Sequence, residues 1–315
     1  MRRLLLSCCT LSLLFSSSLW ADELKVVTTV KPLSLIVQAL TQGAATNETL
    51  LPAGVSPHDY SLRPSDAKKL HDADLVVWVG PELEMFLTKI LDGKSNTLAL
   101  TAQKGIDFRH YDSNEATHDE HEHEHEHEHE HEHEHEHEHE HEHEGIDPHL
   151  WLGPDQAMQA AKVITNKLVA LDPEHKAQYQ ANLTDFISAV EGTVVSLEQQ
   201  LKPLANQGYF VFHDGYGYFE NQFKLNNLGH FTVEPDRRPG AKTLASIRTS
   251  LKEAQARCVF SEPQFSPAVV GSVVRGTGVN VGSLDPMATD IEEGKDGYVQ
   301  FLHQLAQQFS TCLKE

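Results

Sequence analysis

The 315-residue chain is poor in cysteine and has far fewer basic than acidic side chains, with 25 lysines and arginines against 46 aspartates and glutamates. No stripe or cluster of basic residues stands out, which argues against nucleic acid as a partner. Beyond the first residues the sequence lacks any apolar run near the roughly 20 residues that a membrane helix needs. Outside the run of alternating histidine and glutamate at 121–144, where repetition alone produces the pattern, it also lacks an H-E-x-x-H motif. These absences count against a nucleic-acid-binding protein, a membrane-embedded protein and a zincin-type hydrolase.

Residues 1–21 have the pattern of a secretory signal peptide. Two arginines precede an apolar stretch over 4–15, and small residues then lead to Ala21, which an acidic pair follows. The apolar stretch is too short to span a bilayer comfortably. We predict cleavage after Ala21, export to the periplasm and a soluble mature protein.

Only two of the four cysteines, Cys258 and Cys312, lie outside this signal. An even count in an exported protein favours a disulfide, which would remove loop entropy worth on the order of 4 kcal/mol in the chain-entropy model. The alternative, that these thiols bind metal, lacks a nearby second pair. Cys8 and Cys9 lie inside the apolar stretch, so we expect them to leave with the signal rather than to carry a lipid anchor.

The pattern of β-branched runs and helical spacings predicts an α/β protein with two parallel-sheet domains joined by a long rigid helix. About 290 mature residues exceed what one core usually serves. We place the N-terminal domain at 22–172, the linking helix at 173–202 and the C-terminal domain at 203–315. A helix of nearly thirty residues would be about 40 Å long, which suits a connector between domains.

A charged, low-complexity insert at about 113–145 interrupts the N-terminal domain. From 121 to 144 the chain alternates strictly between histidine and glutamate, twelve of each, and without those glutamates the net charge of −21 would be −9. Such a segment cannot bury enough apolar surface to order itself. Most of its imidazoles are neutral at pH 7 and can bind metal weakly, because binding must order the chain. We expect a low-affinity zinc collector or sensor; a solvated acidic spacer is the alternative.

Three histidines lie where an α/β sheet presents its ligands, in loops at the carboxyl ends of strands. His58 and His149 each follow a proline, which restricts the local backbone, and His213 ends the predicted strand 209–213. Imidazole suits Zn²⁺ at about 2.0–2.1 Å, and three imidazoles make a high-affinity set. We therefore predict one Zn²⁺ on His58, His149 and His213.

The fourth coordination position stays open on the sequence. Asp285, which follows a predicted strand at 279–284, is one candidate ligand, and a water molecule is another. Asp59 better suits an acceptor that orients an imidazole. The aromatic residues near the motifs either shield the metal or belong to the core: Tyr60, Trp151, Tyr216 and Phe219.

Four segments carry a resemblance to a known family: HDYSLRPS at 58–65, VVWVGPE at 76–82, HLWL at 149–152 and GYFVFHD at 208–214. With them the chain resembles the ZnuA-type zinc-binding subunits of bacterial high-affinity zinc ABC importers, a branch of the class III (cluster A-I) metal solute-binding proteins. The resemblance covers essentially the whole mature chain outside the insert.

The resemblance implies that the three histidines bind zinc in a cleft between two α/β domains and that a long helix crosses both. It also implies a disulfide between Cys258 and Cys312. Manganese-binding relatives carry a carboxylate where this chain has His213, which favours zinc. Some relatives have a glutamate ligand where this chain has Pro57, and proline cannot coordinate.

A secondary metal site is a weaker expectation from the same resemblance. His230 would share it with insert histidines such as His121, His123 and His125. An ordinary histidine at a strand end is the alternative.

The leading hypothesis is a monomeric periplasmic protein that captures Zn²⁺ and delivers it to the permease of a zinc ABC importer, with zinc as cargo and no enzymatic activity. Three histidines and a water also describe a catalytic zinc, but no separate nucleophile or general base has a recognisable partner. A metal store or metallochaperone built around the insert is the third hypothesis. Deleting the insert separates the first from the third.

Overall fold

The fold was analysed in a computed structural model, which describes residues 23–111, 145–232, 235, 240–253 and 256–314. The predicted signal peptide at 1–21 and nearly all of the insert, including His121, His123 and His125, lie outside the described residues.

The N-terminal lobe is a four-stranded parallel sheet with strand order β2-β1-β3-β4 and helices that connect the strands. Its strands have the β-branched composition that favours a sheet buried on both faces, most clearly in β3, where all four residues are buried. Its elements are β1 (Leu24–Thr28), α1 (Lys31–Thr41), β2 (Ala45–Thr49), α2 (Pro64–Asp72), β3 (Leu75–Trp78), α3 (Thr88–Leu91) and β4 (Thr97–Ala99).

The segment 82–91 is not one continuous helix but a turn, a 3₁₀ turn at Met85–Leu87 and the single helical turn α3. The side chain of Glu84 is the reason, because its carboxylate accepts the backbone N–H groups of Val79 and Gly80 and folds the chain back on itself. The three-residue strand β4 had no sequence signal, since a pattern that short has no measurable period.

The C-terminal lobe is a second four-stranded parallel sheet, with strand order β6-β5-β7-β8. Two longer helices precede it, α4 (Pro154–Leu171) and α5 (Lys176–Leu201). Its elements are β5 (Gly208–His213), α6 (Gly217–Phe223), β6 (Asn226–Thr232), α7 (Ala241–Glu253), β7 (Cys258–Ser261), α8 (Ala268–Val274), β8 (Asn280–Ser283) and α9 (Gly297–Lys314).

Helix α5 connects the two lobes. Its 26 residues span about 39 Å at 1.5 Å per residue, and it packs against α1 and α4 on one side and α6 and α9 on the other. Its buried residues recur at helical spacing: Tyr179, Asn182, Phe186, Val190, Thr193, Leu197 and Leu201. The Asn182 amide donates to the carbonyls of Leu40 and Gln42 and so ties α5 to the end of α1. The two-lobed α/β architecture with a long linking helix is as predicted; the domain boundaries at 172 and 202 remain predictions.

Cys258 and Cys312 form the predicted disulfide, which ties β7 to α9 across 54 residues of sequence. Both cysteines are buried and their Cα atoms lie 6.1 Å apart, within the usual range for a disulfide. Within the described ranges, no helix combines the length and apolarity needed to cross a bilayer.

Candidate metal centre

His58, His149 and His213 converge, although 155 residues of sequence separate the first from the last. The Nε2 atom of His149 lies 3.3 Å from Nε2 of His58 and 3.2 Å from Nε2 of His213. The three potential ligand atoms lie within 4.8 Å of one another. Among the histidine, cysteine and acidic side chains of the described ranges, these three histidines form the group that could hold a metal ion.

Each histidine reaches this point from a different element. His58 lies in the loop between β2 and α2, directly after Pro57. His149 precedes a 3₁₀ turn that leads into α4, which packs against α1 of the N-terminal lobe. His213 is the last residue of β5 in the C-terminal lobe. The site therefore lies where the two lobes meet, with His149 and His213 buried and His58 half-buried.

A buried carboxylate stands behind each of the two buried imidazoles. Oδ1 of Asp147 lies 2.8 Å from Nδ1 of His149, and Oε1 of Glu262 lies 2.5 Å from Nδ1 of His213. A carboxylate at Nδ1 fixes the proton there, so Nε2 keeps a free lone pair for a metal. The second oxygen of Glu262, Oε2, is buried without a hydrogen-bond partner in the described part of the chain.

These contacts shift the pKa values of the groups involved. Burial alone would raise the pKa of Asp147, but the hydrogen bond and charge of His149, together with the charge of Arg109, lower it overall. Burial alone would lower the pKa of His213, but the charge and hydrogen bond of Glu262 raise it overall. The lowered pKa of Asp147 keeps a charged carboxylate behind His149, which strengthens that imidazole as a metal ligand. The raised pKa of His213 favours its protonated form, so a metal that binds there must displace a proton.

The spacing of the nitrogens fits a zinc ion. Ligands at 2.0–2.1 Å from a tetrahedral Zn²⁺ lie about 3.3–3.4 Å from one another. The two measured Nε2–Nε2 distances, 3.3 and 3.2 Å, are close to this value. With a carboxylate at Nδ1 of His149 and of His213, the Nε2 atoms of these two imidazoles face the same point as Nε2 of His58, an arrangement that a cation would stabilise.

A small cavity of about 10 Å³ adjoins the three imidazoles, which is about the room one water molecule needs. Apart from the histidines, Glu262 and a few other polar residues, its lining is apolar: Pro57, Trp151, Phe265, Pro286 and Met287. Trp151 also donates its Nε1–H to the carbonyl of Pro286 and thereby joins the lobes beside the site. Low polarity around the ligands strengthens their interaction with a charge.

Asp285, the protein side chain predicted as a fourth ligand, does not belong to the converging group. Its carboxylate accepts hydrogen bonds from the Gln264 amide, the backbone N–H groups of Met287 and Thr289, and the Thr289 hydroxyl. Asp285 thus shapes the loop that follows β8.

The remaining predicted residues lie away from the three imidazoles or outside the described chain. His230 is half-buried on β6, paired in register with Val211 of β5, and its proposed insert partners are among the residues that the structure does not describe. The side chain of Asp59 is exposed. The secondary site and the orienting role of Asp59 both stay predictions.

Sequence reasoning missed the two carboxylates behind the imidazoles. Asp147 lies two residues before His149, on the other side of Pro148, where the sequence shows nothing to distinguish it from a surface carboxylate. Glu262 directly follows β7, so the rule that identified His213 at the end of β5 would have identified it too.

The fold agrees with that of two-lobed metal-binding proteins of known structure. The periplasmic zinc-binding protein TroA from Treponema pallidum superposes with a TM-score of 0.74, covering 93% of this chain and 99% of its own at 18% identity. At that identity the match establishes the fold and leaves the metal open.

Sequence comparison establishes the family. The profile described as "Zinc-uptake complex component A periplasmic" matches residues 26–312. The high-affinity zinc uptake system protein ZnuA of Yersinia pestis is 44% identical over 291 residues, 92% of this chain and 91% of its own. Its namesake from Haemophilus ducreyi is 47% identical over 292 residues, 92% and 93% of the two chains. The chain belongs to the ZnuA family of zinc-uptake components, which are solute-binding proteins rather than enzymes.

Proposed function

We propose that this chain captures one Zn²⁺ on the Nε2 atoms of His58, His149 and His213 and delivers it to the membrane permease of a zinc ABC importer. The observation that carries the proposal is the convergence of three imidazoles within 4.8 Å of one another, with the two spacings from His149 close to those in a tetrahedral zinc site. The buried carboxylates behind His149 and His213 support it, since such partners are usual for zinc-bound histidines.

Zinc would join the two lobes directly. His58 and His149 approach from the side of the N-terminal lobe and His213 from the C-terminal lobe. Lys31 and Trp151 already hydrogen-bond to carbonyls of the loop 286–289 across the same junction, and α5 packs on both lobes. We therefore expect binding to involve small adjustments rather than a wide hinge motion.

A water molecule is the better-supported fourth ligand. Four hydrogen bonds occupy the carboxylate of Asp285, so turning it towards the metal would leave a buried loop without its acceptor. The third protein ligand would be the imidazole of His213 rather than a carboxylate. This also favours zinc over manganese, because manganese prefers oxygen ligands.

The proposed location and partner of the protein rest on its sequence and on its relatives. Export to the periplasm rests on the signal-like residues 1–21 and on the periplasmic family. The insert would collect zinc at low affinity, and the protein would act as a monomer that docks on the permease. Single-particle or pull-down analysis with the permease reconstituted in nanodiscs tests the docking step.

Chelator competition with Zn²⁺ tests the site. The exported chain, a version lacking 119–144, and both versions with His58, His149 and His213 changed to alanine would be compared. We expect the shortened chain to keep one tight zinc that the triple substitution abolishes. His303→Ala, on the exposed face of α9, is the matched control and should bind as the parent does.

Loss of tight binding on deletion of 119–144 alone would refute the three-histidine site and favour storage by the insert. Retention of tight binding after the triple substitution would refute the site as well, and would direct attention to His230. Mn²⁺ competition in the same experiment tests the metal preference.

A further inference from the structure

One guanidinium joins the segments that carry two of the proposed zinc ligands. Nη1 of Arg109 lies 2.8 Å from Oδ2 of Asp147, and Nη2 lies 2.9 Å from Oδ2 of Asp214. The Arg109 side chain is 25% exposed, whereas those of Asp147 and Asp214 are 0% and 6% exposed. Pairs this buried are screened little by salt.

Each of these aspartates is directly connected to a histidine of the site. The other oxygen of Asp147 accepts hydrogen bonds from both the ring and the backbone nitrogen of His149. Asp214 is the residue after His213, and its backbone N–H donates to the carbonyl of Thr232 in β6. Arg109 therefore touches the histidine segments on both sides of the lobe junction.

The surroundings hold the Arg109 side chain in place. The ring of Tyr111 lies 5.3 Å from its guanidinium carbon, and the Tyr218 hydroxyl accepts its backbone N–H while donating to the carbonyl of Asp147. Gly217, at the start of α6, leaves the space for it: a Cβ there would lie 2.4 Å from Nε and 2.6 Å from Cδ and Cζ of Arg109.

Removing the guanidinium would leave two buried carboxylates beside each other without a compensating charge. Breaking one partner of a buried ion pair is strongly destabilising, because the remaining charge is neither solvated nor paired. The cheapest relief is separation of the segments that carry Asp147 and Asp214. That movement would also separate His149 from His213.

We propose that Arg109 is a positioning residue that clamps the two lobes together and holds His149 and His213 at zinc-binding distance. The inference rests on the three-histidine site proposed above. Arg109 does not coordinate the metal; it lowers the cost of bringing together ligands from two lobes.

Zinc affinity and release rate of the exported chain carrying Arg109→Met are the first measurements. We expect affinity to fall by about 10–100-fold, the range for groups that orient metal ligands, mainly through faster release. Arg257→Met removes the same charge from an exposed side chain and should change affinity less than about 2-fold. Gly217→Ala keeps all charges but displaces Arg109, so it should reproduce the loss.

A double-mutant cycle distinguishes a clamp from a general loss of stability. In an Asp214→Asn background only one of the two buried carboxylates, that of Asp147, is left without the guanidinium and the repulsion between the two is gone, so Arg109→Met should cost clearly less than its original fold-change. A cost that is the same in both backgrounds, or an unchanged affinity in the single variant, would overturn the clamp.

His149→Ala, measured in parallel, separates this proposal from the site itself. Loss of tight binding in His149→Ala together with native affinity in Arg109→Met would refute the clamp alone. Tight binding in His149→Ala would refute the three-histidine site and the clamp with it.

Discussion

His213 and Glu262 form one of the two buried imidazole–carboxylate pairs in the candidate metal centre. Glu262 accepts the Nδ1–H of His213 with one oxygen, while the other oxygen is buried without a partner in the described chain. A buried polar atom without a partner is costly, and a cation in the neighbouring cavity would offset that cost. Glu262 should therefore affect zinc binding through both orientation and charge.

We expect Glu262→Gln to weaken zinc binding by about 10–100-fold, because the amide removes the negative charge behind the ligand. Chelator competition measures the change, with Glu253→Gln at the exposed end of α7 as the control. Native affinity in Glu262→Gln would show that His213 needs no charged partner.

Glu220 is a second buried carboxylate of the C-terminal lobe, on α6. Its Oε1 accepts hydrogen bonds from the Tyr209 hydroxyl and the Asn227 amide. Burial raises the pKa of Glu220 from 4.5 to about 7, against the opposing effect of those hydrogen bonds. Because the folded-state pKa is raised, its stabilising effect is fully present below pH 4.5 and is lost as the pH rises through about 7.

Glu220→Gln keeps an oxygen that can accept both hydrogen bonds but cannot ionise. Relative to this variant, we expect the metal-free native protein to lose up to about 3 kcal/mol of unfolding free energy between pH 5 and pH 8. Urea unfolding in the presence of a chelator at several pH values measures the difference. A difference that does not change with pH would show that Glu220 stays ionised throughout.

Helix α5 has a clear mechanical role, since it packs on both lobes. Its buried residues recur at helical spacing over more than twenty positions, a length that suits a connector between domains. Gly192 lies near the middle of this helix, exposed, and a Cβ there would meet no atom within 4 Å. Packing therefore does not require a glycine at this position, and the glycine lowers the stability of the helix.

Gly192→Ala should raise the free energy of unfolding by about 0.5–1 kcal/mol, the difference in helix propensity between the two residues. If α5 is a rigid connector, zinc affinity should remain unchanged, since the helix is already formed in the metal-free protein. Thermal unfolding and chelator competition measure the two quantities. A loss of affinity on stiffening α5 would mean that the helix bends when zinc binds.

The protein as a whole carries a strong negative charge, much of it in one stretch of sequence. Of the 46 acidic residues, fourteen lie in 119–144. A large negative charge attracts a divalent cation over roughly one Debye length and raises its association rate. The insert would then help capture even without transferring a bound ion.

Stopped-flow tryptophan fluorescence tests this effect, because Trp151 lines the metal cavity. Raising the ionic strength from about 10 to 100 mM shortens the Debye length from about 30 to 10 Å and should slow zinc association. We expect the rate to fall more steeply in the intact chain than in the version lacking 119–144. Equal salt dependence in the two would assign the insert no electrostatic role.

The amino-acid sequence was sufficient for the two-lobed α/β architecture, the long helix, the disulfide and the family. Strand and helix periods, cysteine count and motif identity are local properties that can be read along the chain. We could expect His58, His149 and His213 to converge, because they lie in loops at the carboxyl ends of predicted strands and because the resemblance implies it. The distances between their ring nitrogens could not be predicted.

Only the tertiary structure showed which charged side chains support the three histidines. Glu262 and Arg109 act on residues that are distant in sequence, as His213 is from Glu262 and Asp214 is from Arg109. Asp147 lies only two residues from His149, but its burial and its contact with Arg109 exist only in the folded chain. Asp285 shows the converse, since its position after a strand made it one candidate ligand, whereas in the fold its carboxylate accepts hydrogen bonds from Gln264 and from its own loop. Burial and hydrogen bonding between distant segments exist only once the chain has folded, which is why the sequence located the three histidines while the fold revealed what holds them.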